Sequence, residues 1–215
     1  EKNASKKKTV IDIGCAIGKW LPVLSPAFKK VVAVDISAKN LEIAESLYTQ
    51  YTNVDYLRAD MSGKKTKVPA CDFGICINAI LTPSQKDRDI FFRSLNACIK
   101  KGGRIVITIP SLESHLLTSI IQQQYKIDKA IFPAVKNGKE AIRKWNNIRQ
   151  GNADIDEVTH KHYLKEELRL LLSKEGFVAE EFQKIEYDWS TEFHNPPKWL
   201  KEPRPWDWMV VAKKK

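Results

Sequence analysis

Short apolar runs alternate with stretches of helical period through the first half of this chain. Thr9–Ile13, Val31–Val34, Val54–Leu57, Phe73–Ile77 and Arg104–Ile109 are brief and rich in β-branched residues, and they are apolar on successive positions, as in strands buried on both faces. Between them Leu41, Ala44, Glu45 and Tyr48 recur at helical spacing behind Ser37, a good N-cap. Ile90-Phe91, Leu95 and Ile99 do the same up to Lys100-Lys101-Gly102-Gly103, which stops the helix. Strand-helix alternation of this kind predicts an α/β fold, a parallel sheet with helices on both faces. Its ligand crevice lies at the carboxyl ends of the strands, where the strand order reverses.

From Pro110 to about His160 the pattern turns polar and mostly helical, through Leu116-Leu117, Ile120-Ile121, Ile127, Ile131-Phe132 and Ala141 to Ile148. This predicts a helical cap inserted into the sheet-forming chain. Tyr163 to Leu168 then opens a helix that ends at Gly176. A strand follows around Val178 to Trp189, and a last one at Trp208–Ala212. Pro196, Pro197, Pro203 and Pro205 keep the loop between these two strands out of regular structure. The expected organisation is one domain over residues 1–215, with a ligand-binding half at 9–110, the cap at 111–160 and a closing segment at 161–215.

Composition narrows the class. With 215 residues, 43% hydrophobic and 29% charged, the chain can bury a substantial core, and it contains no apolar run long enough to span a bilayer. The polar, basic opening Glu1 to Lys8 predicts no signal peptide. Cys15, Cys71, Cys76 and Cys98 form no C-x-x-C pair and sit mostly in apolar surroundings, which suits a reducing cytoplasm. The net charge of +10 opens the question of a nucleic-acid partner. The excess, however, is mostly lysine spread along the chain, with Lys6 to Lys8 and Lys213 to Lys215 at its two ends, and a solvated lysine-rich surface accounts for it.

The first strand runs into a glycine-punctuated turn, Asp12-Ile13-Gly14-Cys15-Ala16-Ile17-Gly18-Lys19. A dinucleotide fingerprint needs glycine at the positions held here by Ala16 and Lys19, so an NAD reading fails twice. The second strand ends in Asp35, where a carboxylate can accept from two ribose hydroxyls, a feature that by itself serves NAD equally well. Further along stand Leu57-Arg58-Ala59-Asp60-Met61, the fourth strand leading into Asn78-Ala79-Ile80-Leu81, and Lys101-Gly102-Gly103 before the fifth strand.

In this order and spacing the segments resemble class I S-adenosylmethionine-dependent methyltransferases, whose first motif reads D-x-G-x-G-x-G, with Ala16 here replacing the middle glycine. The resemblance covers Thr9 to Ile109. It implies a Rossmann-like, mostly parallel sheet of seven strands whose last strand is antiparallel, S-adenosylmethionine as cofactor and S-adenosylhomocysteine as product. Residues expected to meet the cofactor are then Asp12, Gly14, Cys15, Ala16 and Gly18 in the turn, with Asp35 and Ile36 at the ribose. Asp60 and Met61 are expected at the adenine and Asn78 beside the methionine part.

Methyl transfer from an activated sulfonium needs alignment and exclusion of water more than a universal catalytic side chain. His160-Lys161-His162-Tyr163 marks the return from the cap, and the resemblance places this junction at the acceptor pocket. His162 and Tyr163 are the candidates for acceptor contact; His160, and His115 with Glu113, are weaker ones. Asn195-Pro196-Pro197 resembles the N-P-P-Y motif of amine methylation but does not follow the fourth strand, so its location rules it out. Trp189, Trp199, Trp206 and Trp208 are expected to pack the sheet edge, and no His, Cys or acidic cluster has metal-ligand spacing. The cap points to a small-molecule acceptor. An RNA-modifying enzyme and a non-catalytic cofactor-binding protein remain the alternatives.

Overall fold

The computed structural model describes residues 5–63, 67–128, 137–155 and 158–215. The first half builds β1 (Ser5–Ile13), α1 (Leu21–Ala27), β2 (Phe28–Asp35), α2 (Ala38–Leu47), β3 (Val54–Arg58), β4 (Cys71–Ile77), α3 (Gln85–Cys98) and β5 (Ile99–Pro110). The second half adds α4 (Leu112–Tyr125), α5 (Gly138–Arg149), β6 (Asn152–Ile155), β7 (Val158–Lys161), α6 (Lys165–Lys174), β8 (Phe177–Glu186) and β9 (Trp206–Lys214). Seven strands form one sheet in the order β3-β2-β1-β4-β5-β9-β8. β1 pairs in parallel with both β2 and β4, so the order reverses there, and β9 runs antiparallel to β5 and β8. The expected sheet with an antiparallel last strand is the one observed.

The strands are apolar on both faces because each face carries its own core. Ile11 and Ile13 of β1 join Val32, Cys76, Ile105 and Ile107 beneath Phe92, Leu95 and Leu168. Val10 points the other way, with Val31, Ala33, Phe73 and Ile75, toward Leu21 and Leu41. α1 is an addition to the expected elements. Pro22 sits in its first turn, where a missing N–H costs nothing, and Pro26 lies inside it, which together hide the helical period.

The expected mostly helical cap also contains a short hairpin, which the sequence reading did not include. After α4 and α5 the chain forms an antiparallel hairpin of β6 and β7, with Ile155 opposite Val158 and Ala153 opposite His160. The expected cap residues Ile131-Phe132 lie outside the described residues. The hairpin is stitched onto the sheet. The Lys161 N–H donates to the Leu81 carbonyl at 2.8 Å and the Tyr163 N–H to the Pro110 carbonyl at 2.9 Å. The Lys161 ammonium is buried at 1% exposure, where it meets Glu167 at 2.6 Å and donates to the Gln150 carbonyl at 2.9 Å.

At the amino ends of the strands a clasp closes the sheet floor. Both the N–H and the hydroxyl of Thr9 donate to one Asp72 oxygen, at 2.8 and 2.9 Å, and Lys100 pairs with the other at 3.0 Å. Trp206 and Trp208 were expected at the sheet edge; they stand instead on β9, an inner strand between β5 and β8, and join the main core. Trp189 instead joins a separate cluster with Phe193, Ile121 and Leu200, and Trp199 is largely exposed against Tyr125. All four cysteines are free and buried. No helix among the described residues is long and apolar enough to cross a membrane.

Candidate cofactor and acceptor site

The turn after β1 is held from beside it. Gly14 and Cys15 donate their N–H groups to the Val34 carbonyl at 2.8 and 2.9 Å, and the Ala16 N–H donates to Asp35 Oδ2 at 2.9 Å. The other Asp35 oxygen accepts from the Ser37 N–H at 2.8 Å, at the N-cap of α2. One carboxylate at the end of β2 therefore ties the turn to the next helix. The path of the turn is left-handed at Gly14 (φ 73°), at Ala16 (φ 47°) and at Gly18 (φ 81°). At Gly14 a side chain is also sterically excluded, because a Cβ there would lie 2.5 Å from the Ala79 Cβ. The turn after β1 and the one after β4 thus meet backbone to side chain, at the point where the strand order reverses.

Between them opens a cleft of about 340 Å³, lined by Gly14, Val34, Asp35, Ile36, Ala59, Asp60, Met61, Ser62, Asn78, Ala79, Thr82 and Phe91. Six expected residues come together here: Gly14, Asp35, Ile36, Asp60, Met61 and Asn78. The Asp60 Oδ1 accepts from the Ser62 N–H at 2.8 Å, and Met61 is buried between the cleft and the core. Cys15, Ala16 and Gly18 shape the turn without lining the cleft. The Cys15 thiol points into the core, and burial pushes its pKa up. Asp12, 2% exposed, lies under the turn with Oδ2 lacking any hydrogen-bond partner; burial, then the charge of Asp35, pushes its carboxyl up to about 7. A larger depression of about 460 Å³ sits at the amino ends of the strands, by Lys6, Lys29 and Asn53, away from all of these residues.

On the acceptor side the expected residues part company. Tyr163 is fully enclosed, its ring edge-on to Phe92, and its hydroxyl donates to the Ile80 carbonyl at 3.0 Å. The expectation that it contacts an acceptor is corrected: its one polar atom is committed to holding the loop after β4. His162 is 4% exposed, with its ring 5.0 Å from that of His115. Burial, then His115, lowers its pKa to about 4, and His115 is lowered as well, chiefly by burial. Glu113 is taken up by structural bonds from Ser111, Trp208 and the Lys165 N–H. The His160 Nδ1 is buried without a partner.

Comparison with known proteins now joins this geometry. Residues 10–103 match the family described as "Methyltransferase domain". That match covers the turn after β1 and the strands around the cleft, and over the whole chain the fold is that of S-adenosylmethionine-dependent methyltransferases. Its fold is shared with a S-adenosylmethionine-dependent methyltransferase of Methanosarcina mazei, at TM-score 0.69 and 16% identity over 99% of this chain and 95% of that one. It is similar to the 1,6-didemethyltoxoflavin-N1-methyltransferase of Burkholderia thailandensis, solved with bound 1,6-didemethyltoxoflavin and S-adenosylhomocysteine, at TM-score 0.62 and 13% identity over 98% and 72% of the two chains. The N-methyltransferase NodS of Bradyrhizobium japonicum WM9, solved with S-adenosylhomocysteine, gives TM-score 0.61 and 10% identity over 96% and 77%. No curated protein matches the sequence significantly.

S-adenosylmethionine is the methyl donor of proteins with this fold, and the residues of the cleft fit it. Asp35 lines the cleft, and its oxygens would accept from the ribose hydroxyls of a bound cofactor. The unpaired Asp12 oxygen is a buried acceptor awaiting a donor, and the missing Cβ of Gly14 keeps the turn close to the loop after β4. Sequence reasoning missed Thr82 and Phe91, which reach the cleft from the segment between β4 and the middle of α3. Phe91 carried a helical signal that read as core only, and nothing in the local pattern of Thr82 marks it as lining a cleft.

Proposed function

We propose that the protein transfers the methyl group of S-adenosylmethionine to a nucleophilic atom of a small-molecule acceptor. The observation that carries this reading is the docking of the cap hairpin beside the cleft. Lys161 bonds to Leu81, next to Thr82 and in the same loop as Asn78, so the cap hairpin is fastened to the segment that lines one side of the cleft, an arrangement suited to a compact ligand. The bound cofactor supplies a methyl already activated by its sulfonium. The chain's part is to align the acceptor with that methyl and to exclude water. His162, next to Lys161 in the chain, is buried and stays neutral near pH 7. Its Nδ1 lies 3.3 Å from the His160 carbonyl, which can only accept, so the proton sits on Nδ1 and Nε2 keeps its lone pair. Four free, buried cysteines suit a reducing compartment, and we place the activity in the cytoplasm.

The test is methyl transfer from tritiated S-adenosylmethionine into a host extract that is then separated into small-molecule, RNA and protein fractions. Label in the small-molecule fraction is expected. Label in RNA alone would overturn the reading in favour of a polymer acceptor, which the net charge of +10 would assist through phosphate contacts. Cofactor binding without label in any fraction would favour a non-catalytic role.

A further inference from the structure

α5, the second helix of the cap, buries none of its side chains. Local chemistry supports it. The Asn137 side chain accepts from the Glu140 N–H at 3.0 Å, Glu140 stands in the first turn and Arg149 in the last. A helix lying on a globular protein turns its apolar stripe inward. In α5 that order is reversed. Glu140, Lys144, Asn147 and Ile148 recur at helical spacing and are half-buried, so the stripe turned toward the protein is mostly polar. Ile142 and Trp145, one turn apart, are each 63% exposed. Arg149 follows one turn beyond Trp145, Lys139 precedes Ile142 by a turn and Arg143 lies beside it, and all three are exposed.

The single acid of the helix, Glu140, belongs to the inner stripe and pairs there with Lys144 at 3.4 Å. Arg143 reaches Asp154 of β6 at 3.4 Å, and Lys139 and Arg149 form no ion pair among the described residues. The outward face therefore carries an apolar centre flanked by cations, with no acid on it. Its carboxyl end is fixed to the hairpin. The Gly151 N–H donates to the Ile148 carbonyl at 2.8 Å, and the buried Lys161 ammonium donates to the Gln150 carbonyl at 2.9 Å.

We propose that the outward face of α5 docks on a membrane surface rich in anionic lipid, with Ile142 and Trp145 at the boundary of headgroups and acyl chains and Lys139, Arg143 and Arg149 among the headgroups. Such a surface is negative outside and apolar just beneath, which is the complement of this face, and tryptophan settles at a boundary of that kind. A second copy is a poorer match, because a two-fold contact would set the three cations against an identical set. A nucleic acid would meet the cations but leave Ile142 in water. At 12 residues α5 lies on the membrane and does not cross it. The inference is independent of the methyl-transfer reading and adds to it a place of work.

The test is sedimentation of the full chain with vesicles of phosphatidylcholine, alone or mixed with phosphatidylglycerol. Binding to the mixed vesicles only is expected, and it should weaken as salt rises. Lys139→Gln and Arg149→Gln should each lower it about fivefold, the effect of one cation near an anionic surface. Ile142→Ser combined with Trp145→Ser should remove it, whereas Leu170→Ser, at an apolar residue of α6 that is 72% exposed, should leave it unchanged. All these positions are exposed, so thermal unfolding should match the wild type and separate lost docking from a lost fold. Lipid brominated along its acyl chains should quench the tryptophan fluorescence of the wild type, and less so that of Trp145→Phe. Absence of binding to the mixed vesicles overturns the proposal, as does undiminished binding by the Ile142→Ser, Trp145→Ser variant. A dimer in analytical ultracentrifugation that this variant returns to monomer overturns it in favour of a second copy. Salt-sensitive tRNA binding that the same variant loses overturns it in favour of a nucleic acid.

Discussion

Asp35 accepts the backbone N–H of Ala16 at 2.9 Å, so the acid that ends β2 holds the turn that ends β1. Its second oxygen is bound by Ser37, and both oxygens keep further acceptor capacity at the cleft rim. Replacing Asp35 by Ala removes a ribose contact and unties the turn together. Calorimetry should find cofactor binding reduced beyond detection at micromolar protein. Urea unfolding should find the free protein weakened by about 2 kcal/mol, the scale of hydrogen bonds to a charged group. Retention of wild-type affinity would remove Asp35 from the site.

The contact between Gly14 and Ala79 gives a prediction with a built-in rescue. Gly14→Ala places a methyl 2.5 Å from the Ala79 Cβ at a left-handed position, so it should abolish cofactor binding and lower stability by about 1–3 kcal/mol. Ala79→Gly opens the space but not the dihedral. The double variant should therefore recover part of the stability in thermal unfolding, and additive losses would show that the two turns are not in contact.

Asp12 and His162 tilt the stability of the free protein in opposite directions. Burial and Asp35 raise the Asp12 carboxyl from 3.8 to about 7, so between those values the native protein keeps a proton the unfolded chain has lost. Stability contributed by this group therefore falls as pH rises from about 4 to about 7. Asp12→Asn should match the wild type near pH 4 and exceed it at pH 8, by up to about 4 kcal/mol. His162, lowered from 6.5 to about 4, does the reverse: its contribution is complete above 6.5 and is lost as pH falls toward about 4. His162→Gln should flatten that acid limb in urea titrations at stepped pH, and an unchanged limb would place the acid sensitivity elsewhere.

Tyr163→Phe separates scaffold from chemistry. Removing the hydroxyl leaves the buried Ile80 carbonyl unpaired and should cost about 1–3 kcal/mol in unfolding, while cofactor affinity stays at the wild-type value. A selective loss of turnover at unchanged stability would return Tyr163 to the reacting groups.

The parts legible in the sequence are those governed by local pattern. The five apolar runs became β1 to β5, and Asp35, Asp60 and Asn78 reached one cleft because each ends, or closely follows, a parallel strand. Where tertiary contacts decide, the pattern was silent or misleading. The β6–β7 hairpin is short and polar, and its place is set by bonds to Gly151, Leu81 and Pro110 that no periodicity announces. Tyr163 looked like chemistry because it neighbours two histidines, yet the Ile80 carbonyl, far away in the chain, claims its hydroxyl.

The clasp of Thr9, Asp72 and Lys100 lies at the end of the strands opposite the cleft. Burial alone would raise the Asp72 carboxyl, but the Thr9 N–H, Lys100 and the Thr9 hydroxyl together hold it at about 2. Cohesion of the sheet is thus anchored at the end away from the cleft. The rim on the other side is left free to change its side chains, and a lineage built on this scaffold could trade one methyl acceptor for another while its foundation stayed intact.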